Sequence, residues 1–284
     1  MTTSGIIQAS APMEKASNSV GALLIHGLGG TQFDLGSLHK ILNRAGVQTH
    51  ALTLPGHGGD PTDLLNVSAE DWIDAVQAKY REIVDQYETV HIMGMCMGSL
   101  LAAELAKRER HAKGRLVLLA PPVYLDGWST PWYRHFRHLL YAIPYIAQRI
   151  RVEEEEPYGI KNELVRRIVK SRFAKGDSFH YQWVPLAVVR QVDRLRNWVR
   201  QSLEHIGCAT LIVHAREDEL TSIKSAYYLQ KQMTGTTVNV VVLENSYHMI
   251  CVDNDREQVA VCVLEHFMLD PAHARRADRQ RSAS

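Results

Sequence analysis

No stretch of about 18 consecutive apolar residues occurs, so no transmembrane helix and no stable membrane insertion are expected. The opening residues, MTTSGIIQASAPMEKASNS, lack a basic segment and a long apolar one, and do not read as a secretory signal. An excess of one charge is missing too. The formal net charge is +1, so no global field favours nucleic acid. Cysteine is sparse: Cys96, Cys208, Cys251 and Cys262 show no C-x-x-C spacing. That predicts free thiols in a reducing, cytoplasmic setting. The histidines form no H-E-x-x-H pattern, so no metal and no cofactor are expected. Internal repeats are absent, which excludes a solenoid.

What is present is ordinary for a globular chain. The 284 residues are 45% apolar and 22% charged, enough for a sizeable core. Short apolar runs at 21–26, 47–54, 89–93, 115–120, 209–215 and 238–243 read as strands. Between them lie helical patterns at 34–45, 68–87, 98–110, 222–233 and 255–268. Ser68 with Asp71 three residues on resembles a capping box. Such alternation predicts an α/β fold: a mostly parallel sheet with helices on both faces. It breaks at 123–206, where aromatic and basic helical segments replace strands. The expected organisation is a flexible leader (1–19), a core (20–122 and 207–269), a helical insertion (123–206) and a disordered basic tail (270–284). That tail holds Arg275, Arg276, Arg279 and Arg281 against Asp270 and Asp278.

In open α/β sheets, ligands bind at the carboxyl ends of the strands. Three turns there carry chemistry-bearing side chains. The strand at 89 runs into Gly94-Met95-Cys96-Met97-Gly98, then a helix. Asp218 follows the strand at 209, between Glu217 and Glu219. His248 follows the strand at 238. The chain order is nucleophile, acid, histidine. This arrangement resembles the α/β-hydrolase superfamily, with cysteine where its nucleophile elbow usually holds serine. His26-Gly27-Leu28-Gly29-Gly30 is similar to the family's oxyanion loop, and Leu54-Pro55-Gly56-His57-Gly58 fits the same group. Within the family, the chain looks most like bacterial carboxylesterases of the monoacylglycerol-lipase type. The 123–206 insertion resembles their helical cap.

The resemblance implies a triad of Cys96, His248 and Asp218. A thiolate attacks an acyl carbon far better than a thiol does. His248 would move the proton and Asp218 would hold the imidazole. The backbone amides of Leu28 and Met97 would hold the oxyanion; losing one such donor costs about 3–4 kcal/mol of barrier. Glu219 is expected to be a solvated neighbour. His26 is expected to shape the oxyanion loop, and His57 to hydrogen-bond loop backbone. Trp128, Trp132, Tyr133 and Phe136 would either line an acyl site under the cap or pack its helices. The expected substrate is a small-molecule acyl ester or thioester, carrier-bound acyl groups included.

Other readings of the same residues stay open. Cys96 could be a small buried residue, a replacement for serine, or part of a site that has lost activity. An acyl-cysteine is a thioester, which suits transfer to amines or thiols. An acyltransferase or cyclase of lipid or secondary metabolism is therefore the alternative. A non-catalytic ligand-binding homologue is the third. The sequence does not specify the oligomeric state.

Overall fold

A computed structural model describes residues 19–129 and 137–269. The expected leader (all but residue 19), the basic tail, and Trp132, Tyr133 and Phe136 lie outside the described residues.

Six strands form one parallel sheet: β1 (Val20–Ile25), β2 (Val47–Leu52), β3 (Thr89–Met95), β4 (Leu116–Leu119), β7 (Thr210–Ala215) and β8 (Val238–Leu243). Their order across the sheet is β2-β1-β3-β4-β7-β8. The central strands are buried on both faces, which is why they read as apolar runs without alternation. Successive side chains point to opposite faces. Leu23, Ile25, Val90, Ile92, Leu116 and Leu118 therefore enter one apolar cluster. Ala22, Leu24, Met93, Met95, Val117 and Leu119 enter the other.

Helices α2 (Ala69–Ile83) and α3 (Met97–Arg108) supply much of the first cluster, whereas α1 (Leu38–Arg44) and α9 (Arg256–His266) cover the second. The α2 capping box is present: the Asp71 amide donates to Ser68 Oγ at 3.2 Å, and Asp71 Oδ2 accepts from the Ser68 amide at 2.8 Å. Helix α1 is shorter than its apolar spacing predicts. A 3-10 turn over Gln32–Leu35 precedes it, broken by Gly36 at φ 55°. That conformation separates the 3-10 turn from α1, and a Cβ there would lie 2.3 Å from the Cys251 carbonyl oxygen, so only glycine fits.

Between β4 and β7 the chain is mainly helical: α4 (Arg137–Leu140), α5 (Pro144–Arg149), α6 (Glu163–Ala174) and α7 (Leu186–Val199). It is not free of strands, contrary to expectation. β5 (Arg151–Glu153) and β6 (Trp183–Pro185) form an antiparallel pair. Three residues cannot display a period: β5 is wholly exposed, and the apolar Trp183-Val184-Pro185 of β6 is too short a run to read as a strand. Val188, Val192, Leu195 and Val199 of α7 join the first core cluster, against α2 and α3. Helix α8 (Lys224–Gln232) lies between β7 and β8. No helix among the described residues is long and apolar enough to cross a membrane.

Candidate active site

Cys96 sits at the junction of β3 and α3 with φ 53° and ψ −125°, a conformation that a non-glycine residue holds only at a cost of about 1–3 kcal/mol. The flanking glycines make this turn sterically accessible. A Cβ on Gly94 would lie 2.0 Å from the Gly98 carbonyl oxygen, and one on Gly98 would lie 2.2 Å from that of Ile25. Backbone bonds lock the turn. The Cys96 amide donates to the Leu119 carbonyl at 2.9 Å, and the Cys96 carbonyl accepts from the Ser99 amide at 2.9 Å. The thiol is half-buried, and all four cysteines are free.

The loop after β1 lies against this turn: a Cβ on Gly27 would approach that of Cys96 to 3.1 Å. His26 shapes the loop, as expected. Its Nε2 accepts from the Leu54 amide at 3.1 Å, so the proton is on Nδ1, which meets the Gly27 carbonyl at 2.8 Å. Burial lowers the pKa of His26, consistent with this neutral tautomer. His57 bonds the Pro55 carbonyl at 3.1 Å and is pushed down to about 4 by burial. The Leu28 amide donates to no acceptor among the described residues. Met97 is the first residue of α3, so its amide has no acceptor within the helix. Neither N–H has a partner among the described residues, and both belong to turns that meet at Cys96.

The turns after β7 and β8 bring Asp218 and His248 together. His248 Nδ1 and Asp218 Oδ2 are 2.7 Å apart, and both side chains are buried. The other carboxylate oxygen of Asp218 accepts from the Leu220 and Thr221 amides, each at 2.9 Å. Burial opposes the charge on Asp218, but His248, His214 and these amides outweigh it and hold the carboxyl below its usual range. Burial also opposes charge on His248. Asp218 and Cys96 prevail there, and the imidazole pKa is raised well above 6.5. His248 Nε2 is buried with no hydrogen-bond partner among the described residues.

Glu219 corrects an expectation. It is buried, not solvated, and its Oε2 accepts from the backbone amide of His248 at 3.0 Å. Burial, with Asp218 adding to it, raises its pKa to about 7. Nothing in the local sequence separates Glu219 from its exposed neighbour Glu217, because the turn's inward face is set by packing. Trp128 is 60% exposed; its indole N–H donates to the Glu217 carbonyl at 3.1 Å and its ring meets Tyr247 edge-on at 5.6 Å. It borders the acid–histidine turns from outside. No group of His, Cys, Asp and Glu side chains that could hold a metal occurs among the described residues.

This geometry of elbow, unpartnered amides and acid–histidine pair has known relatives. The sequence matches the alpha/beta hydrolase family over residues 22–261. The chain belongs to that family. Among curated relatives it is similar to a thermostable monoacylglycerol lipase of Bacillus sp. (strain H-257), 25% identical, with 92% of this chain and 96% of the relative covered. It is also similar to a carboxylesterase of Bacillus subtilis (strain 168), 24% identical, covering 86% of this chain and 90% of the relative. Two solved structures share the hydrolase fold. One comes from work on the metagenome-derived lipolytic enzymes LipS and LipT (TM-score 0.75, 20% identity, 88% of this chain and 94% of the other). The second is the monoacylglycerol lipase of Paleococcus ferrophilus (TM-score 0.71, 18% identity, 90% and 96%).

Proposed function

We propose that this alpha/beta hydrolase cleaves small-molecule acyl esters or thioesters through an acyl-Cys96 intermediate. The observation that carries the reading is the 2.7 Å contact between His248 Nδ1 and Asp218, which leaves the opposite ring nitrogen free to serve as the base for a cysteine held at a strained elbow. The names of the relatives, a monoacylglycerol lipase and a carboxylesterase, support the ester class.

The steps follow from the geometry. Cys96 sulfur bonds to the acyl carbon while its proton resides on His248 Nε2. The carbonyl π pair moves onto oxygen, where the Leu28 and Met97 amides donate to it. Collapse expels the alkoxide or thiolate, which takes the proton from His248. Water then gives a proton to His248 and attacks the thioester, releasing the acid and the Cys96 thiol. Asp218 holds the imidazole and offsets its positive charge. The insertion after β4 is read as a cap: among its described residues, Tyr181 bonds to the loop after β1 and Trp128 to the turn after β7.

Cysteine also favours a second reading. The thiolate is a good leaving group, so the intermediate passes its acyl group readily to an amine, thiol or alcohol, and an acyl transferase would use the same groups.

Intact mass after incubation with p-nitrophenyl acyl esters tests the reading. The wild type is expected to gain one acyl mass transiently and to release p-nitrophenol. Cys96→Ala should lose both, with turnover down at least ~10³-fold. Full activity in Cys96→Ala would overturn the mechanism. An adduct that persists in water but clears on adding an acceptor selects transfer over hydrolysis.

A further inference from the structure

The short stretch Phe179-His180-Tyr181, between α6 and β6, lies directly on the loop that carries the Leu28 amide. The Tyr181 amide donates to the Gly29 carbonyl at 2.7 Å, and Thr31 Oγ1 donates to the Phe179 carbonyl at 2.8 Å. The Tyr181 hydroxyl donates to the Gly56 carbonyl at 2.9 Å and accepts from the Gly59 amide at 3.1 Å. Between these bonds sits an ion pair. His180 Nδ1 is 3.3 Å from Asp34 Oδ1, and its Nε2 is 3.9 Å from Glu154 Oε1. Asp34 is 2% exposed, and its other oxygen accepts from the Gly27 amide at 3.2 Å. A buried carboxylate of this kind needs a cation. The nearest partner comes from a residue far away in sequence, on the segment between β4 and β7.

We infer that His180 is a positioning residue for the oxyanion hole: through Asp34 it fixes the N–H of the His26–Gly27 peptide, the unit that leads directly into the Leu28 amide, so the hole is complete only when the 179–181 stretch is seated. The inference rests on the acyl-Cys96 reading above. The chain of contact is direct. His180 holds one carboxylate oxygen of Asp34, the second holds the Gly27 amide, and Gly27 packs on Cys96. The next amide along the chain is the unpartnered one of Leu28. Withdrawing the imidazolium leaves Asp34 buried and uncompensated, and the loop relaxes to solvate it.

The pair persists across the neutral range. Burial opposes charge on His180, but Asp34 and then Glu154 outweigh it and raise the imidazole to about 10. The remaining charged neighbours do not compete. Arg172 of α6 lies over the Phe179 ring and pairs with Asp177 at 2.7 Å, and His26 is kept neutral by burial. A histidine charged to such a pH stabilises the native fold fully below 6.5. That contribution fades as pH rises through about 10.

The test uses an acyl-like trifluoromethyl ketone. Its carbonyl carbon accepts the Cys96 sulfur, the thiol proton goes to His248, and the resulting oxyanion occupies the hole. His180→Gln is expected to weaken this inhibitor and to lower kcat for an ester by the same factor, roughly 10- to 100-fold, with KM shifted far less. Asp34→Asn should give a similar loss, and the double variant no further one. A change in KM alone, or unchanged inhibition, would overturn the proposal. If His180→Gln does not fold, Glu154→Gln serves, since that carboxylate is exposed. It should move the alkaline loss of inhibition to lower pH, and an unmoved alkaline limb counts against the proposal. A wild type insensitive to the ketone brings down the acyl-Cys96 reading itself, and this inference with it. A sensitive wild type matched by its variants brings down this inference alone.

Discussion

Glu219 and Asp218 are consecutive, both buried, and both aimed at His248 from the same turn, one at its ring and one at its backbone. Two adjacent carboxylates in a buried site resist ionising together, and Glu219, with a pKa of about 7, is the one that yields. Its ionisation places a second negative charge beside the imidazolium. Glu219→Gln keeps an oxygen for the His248 amide and removes that charge. The acid limb of kcat/KM is expected to move to lower pH, which a pH–rate profile would read. A raised carboxyl pKa also costs stability, because the unfolded chain ionises at lower pH than the folded one. That penalty is absent below about 4.5, grows as pH rises to about 7 and is constant above it. Glu219→Gln should therefore gain on the wild type above pH 7, by up to about 3 kcal/mol in denaturant titrations. At this scale the sequence was legible only where residues sit in a spaced motif. Cys96, Asp218 and His248 could be singled out because each lies in a turn after an apolar run, in the chain order of the hydrolase motif. The burial of Glu219 and the pairing of Asp34 with His180 could not, because packing and an ion pair between residues distant in sequence leave no local trace.

The elbow is decided at the scale of elements. Strand β3, helix α3 and the end of β1 meet so closely that Gly98 leaves no room for a methyl group against the Ile25 carbonyl. Gly98→Ala is expected to destabilise the fold by about 2–4 kcal/mol and to abolish acylation, measured by urea unfolding and by adduct mass. Retained acylation at wild-type stability would refute that account of the turn. The parallel strands and α2 could be read in advance because apolar runs, a capping box and an amphipathic period are local features. The three-residue β5 and β6 could not, since only their mutual pairing and the Arg151 guanidinium over the Trp183 ring, 4.2 Å away, define them. The break before α1 was equally hidden: Gly36 is shaped by Cys251, a residue from a distant loop.

For the whole molecule, the main question is how far the 123–206 segment is separate from the sheet. Helix α7 buries Leu195 completely in the principal core, whereas Leu164 on α6 is 63% exposed. Leu195→Ala is expected to cost about 2–5 kcal/mol and Leu164→Ala less than about 0.5 kcal/mol in urea titrations. Equal, small costs would instead mark α7 as a detachable layer.

The seam between β4 and β7 has a kinetic consequence. These strands are hydrogen-bonded neighbours, yet the chain travels roughly 90 residues between them. Closing so long a loop is slow compared with forming a helix. Cys96 lies before the seam, and Asp218 and His248 after it. Recovery of esterase activity on refolding should therefore lag behind helical circular dichroism. Esterase recovery would then serve as a clock for the moment the two halves of the sheet join.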